Sequence, residues 1–191
     1  DVDRELVFVN DGSTDATLEV LQALRASDPT LAIVDLSRGF GKELALTAGL
    51  DHASGDAVVV LDADLQDPPE LIPEFVKHWR EGFDVVYGVR THRDGETALK
   101  RLTAFLFYRV IHRMSRVPIP RDTGDFRLLS RRAVDALRSL PEQHRFMKGL
   151  FAWIGFRRKA LPYRRDPRGA GVTKFNYWKL WNFAIEGITS F

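Results

Sequence analysis

The sequence predicts an α/β fold built on a mostly parallel β-sheet with flanking helices. In the first half of the chain, short apolar runs alternate with segments of helical period, an order typical of parallel sheets. The run Asp56–Leu61 is apolar at every position after its first, as expected for a strand buried on both faces. Polar residues follow several of these runs, at the strand ends where open α/β sheets bind their ligands.

The first half, residues 1–96, predicts four strands and three helices. We expect Ser13 or Thr14 to cap the first helix. Pro68 and Pro69 favour the start of the third helix, because proline is tolerated in a first turn. The predicted strands are Glu5–Asn10, Leu31–Leu36, Asp56–Leu61 and Phe83–Val89, and the predicted helices run from Ser13 to about Ala26, over Lys42–His52 and from Pro68 to about Glu81.

The second half predicts more helix, and its last segment is rich in aromatic residues. Thr97–Arg116 has an apolar stripe beside basic residues, and Phe175–Phe191 is an aromatic amphipathic segment. Arg164–Lys174, rich in Gly and Arg, predicts a loop. The remaining predicted elements are strands at Phe126–Leu129 and Phe156–Tyr163 and helices from Ser130 to about Leu140 and over Phe146–Trp153.

Composition excludes some functions and suggests others. The 191 residues contain no cysteine, which excludes a disulfide scaffold, a cysteine-ligated zinc and a thiol nucleophile. Residues 1–96 carry 20 acidic and 8 basic side chains, a net charge of −12, whereas residues 97–191 carry 6 and 20, a net charge of +14. An acidic half suits metal ions, and a basic half suits phosphates, nucleic acid or an anionic membrane.

Three polar clusters follow predicted strands: Asn10–Asp15, Asp62–Asp67 and Gly88–Arg90. Each has a simpler interpretation, a capped turn for the first two and a surface salt bridge for Arg90. Three acids within six residues repel one another, however, unless a cation compensates them. An Asp-x-Asp after a buried strand suits Mg²⁺ or Mn²⁺ held by one or two carboxylates and by substrate phosphates.

The chain resembles family 2 glycosyltransferases of the GT-A (Rossmann-like) fold, and more closely the polyprenyl-phosphate glycosyltransferases of the bactoprenol and dolichyl-phosphate type. The resemblance covers nearly the whole chain. The most specific part is the run through Gln66, Asp67 and the double proline. The motifs that carry it are VNDGSTD from Val9, SRGFGK from Ser37, DADLQDPPE from Asp62, GDFR from Gly124 and GVTKF from Gly171.

For the nucleotide sugar, the resemblance implies five site residues. Asp11 would contact the nucleotide base, and Arg90 would contact the diphosphate. Asp62 and Asp64 would form the Asp-x-Asp, with Asp64 the more direct ligand of Mg²⁺ or Mn²⁺ and Gln66 a further one.

For the acceptor, the resemblance makes Asp125 the catalytic base and places Arg127 and Ser130 near the acceptor phosphate. Arg168 and Lys174 would lie on a loop that closes over both sets of phosphates, although the same charge run can be a solvated face. A phosphate monoester is mostly dianionic at neutral pH, so Asp125 would orient the acceptor or the metal more than remove a proton. The simpler interpretation of Asp125 is a capping residue in a Gly-Asp turn.

The resemblance suggests that the basic amphipathic segments bind the membrane surface. Helices over Thr97–Arg116 and Phe175–Phe191 would lie at the membrane interface, where a polyprenyl phosphate presents its head group, although both can also be ordinary core helices. We therefore expect an anionic membrane surface, a polyprenyl phosphate and a nucleotide sugar as partners, at the cytoplasmic face of the cell membrane. Nucleic acid is not an expected partner, and a second copy of the chain is a candidate partner, although the sequence does not determine the oligomeric state.

Family members usually begin with a strand ending in Pro-x-Tyr-Asn-Glu, and those of the bactoprenol type continue into transmembrane helices. The 191 residues contain neither feature. We therefore expect residues 1–174 to form the GT-A catalytic domain without its first strand, and residues 175–191 to form a juxtamembrane amphipathic helix.

The leading hypothesis is a metal-dependent, inverting transfer of glucose from UDP-glucose to undecaprenyl phosphate. A GDP-mannose-dependent polyprenyl-phosphate mannosyltransferase and a non-catalytic, membrane-docked sugar-nucleotide-binding domain remain alternatives. A phosphohydrolase of the haloacid-dehalogenase type is less favoured, because Leu65-Gln66 stands where that motif has Thr or Val. A nucleotidyltransferase is less favoured because no Gly-rich phosphate loop is visible near the start.

Overall fold

The computed structural model describes residues 3–64, 66–91, 123–140 and 147–164. The helices expected over Thr97–Arg116 and Phe175–Phe191 lie outside these ranges. The loop expected over Arg164–Lys174 does too, apart from its first residue, so Arg168 and Lys174 are also outside. Within the described ranges, no helix is both long enough and apolar enough to cross a membrane.

Strands and helices alternate through the first half, which confirms the predicted α/β class. The second helix coincides with its predicted bounds, and the third begins with a single 3₁₀ turn, Pro69–Leu71. The strands are β1 (Leu6–Asn10), β2 (Leu31–Asp35), β3 (Ala57–Val60), β4 (Val85–Arg90), β5 (Thr123–Ser130) and β6 (Arg158–Tyr163). The helices are α1 (Thr17–Ser27), α2 (Lys42–His52), α3 (Ile72–Arg80), α4 (Arg131–Arg138) and α5 (Met147–Trp153).

The six strands found in the described ranges form two hydrogen-bonded sheets. β1 and β2 pair in parallel, with Leu6 opposite Leu31. The larger sheet has the order β3-β5-β4-β6, in which β5 is antiparallel to both of its neighbours and β4 is parallel to β6. The sequence does not predict the antiparallel β5, which comes last but one along the chain and lies between two earlier strands.

β5 is the central strand of the larger sheet and is buried at all eight positions. Its side chains alternate between the two faces. Phe126 and Leu128 pack with Phe75 of α3 on one face, whereas Leu129 packs with residues of α2, α4 and α5 on the other. β5 is longer than the predicted Phe126–Leu129, and Gly124 and Asp125 lie within it rather than in a turn.

Two local predictions are wrong. Neither Ser13 nor Thr14 caps α1, which begins at Thr17; Asp15 instead accepts a hydrogen bond from the Thr17 amide at 3.1 Å. β3 is half-buried rather than fully buried, and among the described residues the hydrogen-bonded sheet continues from it on one side, through β5.

Candidate active site

The ammonium of Lys42 joins two carboxylates that are 63 positions apart in sequence. Its Nζ lies 2.8 Å from both oxygens of Asp62 and 2.6 Å from Oδ2 of Asp125. The Asp125 side chain is only 10% exposed, and that of Asp62 is 26% exposed. One residue from the acidic first half and one from the basic second half therefore share a single counter-charge.

The sheet register explains this meeting. Val60, the last residue of β3, pairs with Arg127 of β5. Because the two strands are antiparallel, continuing this register by two residues brings Asp62 opposite Asp125. Lys42 is the first residue of α2, which packs on the same face of the sheet through Leu50. The Asp-x-Asp and the predicted catalytic residue are thus brought together by the antiparallel pairing.

Opposite effects act on the pKa of Asp125. Burial raises this pKa, but the positive charges of Lys42, Lys148 and Arg127 outweigh it and hold the pKa below the ordinary value. Burial lowers the pKa of Lys42, and the two carboxylates reverse that effect, so the pKa of Lys42 is raised. Both groups are charged at neutral pH, as an ion pair requires.

Arg90, expected to contact the diphosphate, lies against Gly124, the neighbour of Asp125 in β5. It is the last residue of β4, and a Cβ added to Gly124 would lie only 2.6 Å from its Nη2, so a larger residue at Gly124 would displace the guanidinium. Arg90 Nε donates to the Tyr163 hydroxyl at 3.4 Å. That hydroxyl donates in turn to Oδ1 of Asp67, a carboxylate that is 1% exposed. Burial, with the hydrogen bond to Asp67, raises the pKa of Tyr163 to about 12.

Arg127 is placed differently from its prediction as an acceptor-phosphate ligand. Its guanidinium is buried and donates to the backbone carbonyls of Asp125, at 3.2 Å, and Gly124, at 2.7 Å. The guanidinium also stacks on the Phe151 ring at 3.7 Å. Burial lowers the pKa of Arg127 to about 10. In this arrangement Arg127 holds the backbone that carries Asp125.

Ser130 lies apart from the other site residues, at the opposite end of β5 from Asp125. Five steps of about 3.3 Å along the strand separate the two by about 16 Å. The Ser130 hydroxyl caps α4 by accepting from the Ala133 amide at 3.3 Å, and it donates to the buried Asp84 at 2.9 Å. These contacts make Ser130 part of the support for α4 instead of the acceptor site.

Asp11 supports the loop that precedes Lys42. Its carboxylate accepts hydrogen bonds from the backbone amides of Phe40, at 2.7 Å, and Gly41, at 3.0 Å. The same turn brings Gly12 against the backbone of Arg38. The two motifs quoted for the resemblance, after β1 and before α2, are therefore in direct contact.

Glu43 and Lys148 belong to the site, although sequence reasoning did not select them. Glu43 accepts from the backbone amide of Met147 at 2.8 Å and so holds the start of α5 against α2. Burial raises the pKa of Glu43, and burial lowers the pKa of Lys148, whose charge acts on Asp125, Lys42 and Arg90. In the sequence, the two residues are distinguished only by being adjacent to Lys42 and Met147. That adjacency indicates a role in the site only once the fold is known.

The carboxylates present fit a cation that shares its coordination with a substrate. Asp62 and Asp64 follow β3, and Oδ1 of Asp64 accepts from the Gln66 amide at 3.2 Å, which closes a tight turn. Across residues 3–64, 66–91, 123–140 and 147–164, no three acidic or imidazole side chains converge as a full ligand set. Mg²⁺ and Mn²⁺ accept one or two carboxylates when phosphate oxygens and waters supply the rest.

The family model and the similar proteins all indicate glycosyltransferases. Residues 2–138 match the model of Glycosyl transferase family 2. An uncharacterized glycosyltransferase of Synechocystis is 57% identical over 98% of this chain and 59% of its own length. A bactoprenol glucosyl transferase of Shigella phage SfV is 50% identical over 98% of this chain and 61% of its own length. The chain thus spans about three fifths of these relatives.

Solved structures show the same fold at lower identity. A mannosyltransferase from Pyrobaculum calidifontis, in complex with GDP-Man and Mn²⁺, is 23% identical, with a TM-score of 0.56 over 83% of this chain and 45% of that one. Glucosyl-3-phosphoglycerate synthase from Mycobacterium tuberculosis, in complex with Mn²⁺, UDP-Glc and phosphoglyceric acid, is also 23% identical. Its TM-score is 0.56 over 97% of this chain and 67% of that one. The predicted GT-A fold is confirmed.

Proposed function

This chain belongs to glycosyl transferase family 2, and from that membership we propose that it carries the catalytic domain of an inverting enzyme that moves glucose from UDP-glucose to a polyprenyl phosphate. The observation that carries the proposal is the meeting of Asp62 and Asp125 at the ammonium of Lys42. A donor site at the end of β3 and an acceptor site at the start of β5 would then share one edge of the sheet. This edge is also where ligands bind in open α/β folds.

The proposed reaction is a single displacement. An oxygen of the acceptor phosphate forms a bond to the anomeric carbon, and the bond from that carbon to the diphosphate breaks. The leaving nucleoside diphosphate takes the electron pair, so the configuration at the anomeric carbon inverts. The acceptor phosphate is mostly dianionic at neutral pH and needs little deprotonation, so Asp125 orients the reacting groups.

The cations beside Asp125 make a dianionic acceptor tolerable there. An unpaired carboxylate would repel the phosphate, whereas Asp125 is already neutralised by Lys42, with Lys148 and Arg90 close by. Arg90 and Lys148 would face the phosphates, and Arg127 would hold Asp125 from behind. Asp11 would act on the nucleotide through the loop that its carboxylate holds.

Asp62, Asp64 and Gln66 would hold Mg²⁺ or Mn²⁺ together with the diphosphate. When bound, the metal would neutralise negative charge that develops on the leaving diphosphate. Two carboxylates followed by a tight turn suit this shared coordination better than a closed protein site. Transfer rates measured with each metal in turn would distinguish Mg²⁺ from Mn²⁺.

The names of the relatives favour glucose over mannose as the transferred sugar, and they favour a polyprenyl phosphate as the acceptor. Proteins named bactoprenol glucosyl transferase, from Shigella phages SfV and SfX, are 50% and 49% identical to the chain over nearly its full length. A GDP-mannose donor is the second candidate, and a solved mannosyltransferase shares the fold but only 23% of the sequence.

The charge asymmetry supports a location at an anionic leaflet. Residues 97–191 carry a net charge of +14, and each basic residue near such a surface contributes up to about 1 kcal/mol. Thr97–Arg116 and Phe175–Phe191 would lie along the cytoplasmic face, and Arg168 and Lys174 would approach the phosphates from the intervening loop. A polyprenyl phosphate would enter from the same side.

The test is transfer of labelled sugar to undecaprenyl phosphate in membranes that contain the protein, with UDP-glucose and GDP-mannose compared. Asp64→Asn should lower the rate by orders of magnitude and weaken metal-dependent UDP binding. Asp125→Asn should lower kcat while UDP affinity changes less than about threefold. Asp56→Asn, exposed at the other end of the Asp62 strand, is the matched control and should retain activity.

Each outcome separates one alternative. Transfer from GDP-mannose alone would replace glucose by mannose. Nucleotide binding without transfer, in a protein that carries every residue above, would favour the non-catalytic domain. A wild-type rate in Asp64→Asn with the same metal would refute the metal assignment.

A further inference from the structure

Lys42 is in an unfavourable place for a lysine. It is the first residue of α2, where the partial positive charge of the helix N-terminus disfavours a cation. The side chain is 54% exposed, so solvent reaches part of it. Its Nζ nevertheless lies within hydrogen-bonding distance of two carboxylates, which shows that those carboxylates determine where the ammonium lies.

We infer that Lys42 is a positioning residue that acts as a built-in counter-cation, holding Asp62 and Asp125 together before the donor binds and competing with the divalent cation for Asp62. This inference rests on the proposed function, since it takes Asp62 as a residue of the donor and metal side.

The geometry supports competition rather than coexistence. The ammonium lies 2.8 Å from each oxygen of Asp62, so it stands in front of the carboxylate group as a whole. A divalent cation that takes either oxygen from that side must displace Lys42 or share the carboxylate with it. Two neighbouring cations repel each other, and this repulsion weakens metal binding while Lys42 remains in place.

The diphosphate removes this conflict. A lysine ammonium carries three donors on a flexible stem, and it pairs with phosphate oxygens as a point charge. When metal and nucleotide arrive together, Lys42 can exchange Asp62 for a phosphate oxygen while it keeps its contact with Asp125. The metal is therefore expected to bind weakly alone and tightly with the nucleotide.

The test measures Mn²⁺ binding to nucleotide-free protein by calorimetry and by electron paramagnetic resonance of the free ion. Lys42→Met should bind Mn²⁺ alone about tenfold more tightly than wild type, because the competing charge is gone. Lys42→Arg, which keeps the charge, should stay within about threefold of wild type. Lys77→Met, an exposed lysine of α3 on the other side of the sheet, is the control and should change nothing.

Addition of UDP should reverse the order of affinities. Wild type should then bind Mn²⁺ more tightly than Lys42→Met, because only wild type gains the contact between Lys42 and the phosphate. A side chain with a merely structural role would weaken Mn²⁺ binding in both conditions, or leave it unchanged. Lys42→Gln, which retains a polar head, replaces Lys42→Met if thermal melting shows that the latter is unfolded.

Two failures are distinguishable. Equal or weaker Mn²⁺ binding by Lys42→Met or Lys42→Gln without nucleotide would overturn the inference and leave the proposed function standing. Absence of Mn²⁺ binding in every variant, with and without UDP, would overturn the metal site of the proposed function and the inference with it.

Discussion

Gly12 is the position where the loop after β1 touches the loop before α2, and its replacement by alanine should be costly. Its φ of +63° lies in the left-handed region. A Cβ added there would overlap the backbone carbon of Arg38 and the nitrogen of Gly39, and it would lie 2.8 Å from the Arg38 Cα. Backbone atoms of a second loop cannot rotate out of the way as the end of a side chain can.

The magnitude follows from two separate costs. The left-handed conformation costs a non-glycine residue about 1–2 kcal/mol. Forcing an extra carbon into a filled space costs roughly 1–3 kcal/mol more, because the backbone must shift. Gly12→Ala should therefore lower the free energy of unfolding by about 2–5 kcal/mol.

Two neighbouring glycines separate these costs. Gly41 has a φ of +95° with a ψ of 161°, a backbone conformation almost confined to glycine, and open space around its added Cβ, so Gly41→Ala should cost the conformational part alone, about 1–3 kcal/mol. At Gly39 the added Cβ would meet only the Asp11 carbonyl oxygen, at an ordinary 3.5 Å, and no left-handed φ is involved. Gly39→Ala should therefore stay within about 1 kcal/mol of wild type.

The assay is chemical denaturation of the four proteins followed by circular dichroism, with UDP binding measured beside it. Asp11 holds the backbone just before Lys42, so a shift of these loops should also weaken UDP binding in Gly12→Ala. If Gly12→Ala is as stable as Gly39→Ala, the close packing of the two loops is not what the structure indicates.

Three further predictions concern the support of the site. Hydrogen bonds from Arg132 and Ser130 lower the pKa of Asp84. The stability that its carboxylate contributes is therefore present above about pH 4 and is lost as the pH falls through the lowered pKa. Acid denaturation of Asp84→Asn should accordingly depend less steeply on pH in this range than that of wild type. Tyr163→Phe removes the hydroxyl between Asp67 and Arg90 and should cost about 1–3 kcal/mol, read by thermal melting, with a matching loss of UDP affinity. Arg127→Lys should lower kcat more than it changes the KM for the nucleotide sugar, because a lysine cannot donate to two backbone carbonyls in the same plane; an unchanged kcat would mean that Asp125 needs no such support.

Local chemistry made much of the fold predictable. α2 has the bounds that were predicted, because Gly41 stands at its N-cap and most of its residues, Leu, Ala, Glu and Lys, have high helix propensity. The start of α1 differs from its prediction because Ser13 donates its amide to the Asn10 side chain, and α1 begins only at Thr17, whose amide donates to Asp15. Competing polar side chains of similar propensity within six residues leave such a choice to the folded structure.

The site was predictable in its residue types but not in its pairings. The Asp-x-Asp stands out because repulsion among neighbouring acids needs an explanation. The role of Lys42 depends on the pairing of β3 with β5, which local sequence does not specify. Arg127, expected near the acceptor phosphate, is buried instead, because the Phe151 ring and two backbone carbonyls take the place of solvent around its guanidinium.

The strand order β3-β5-β4-β6 also constrains how the protein is made. β5 lies between β3 and β4 and pairs with both of them, but the ribosome synthesises it about 30 residues after β4. Until Ser130 has emerged, the two apolar strands expose open edges of the kind that promote aggregation. Long-range pairing of this kind slows folding, because a large loop must close before any contact compensates for it. We therefore expect the nascent chain to depend on chaperones during this interval, and ribosome-bound chains that end just before β5 to be far more protease-sensitive than chains that extend past β6.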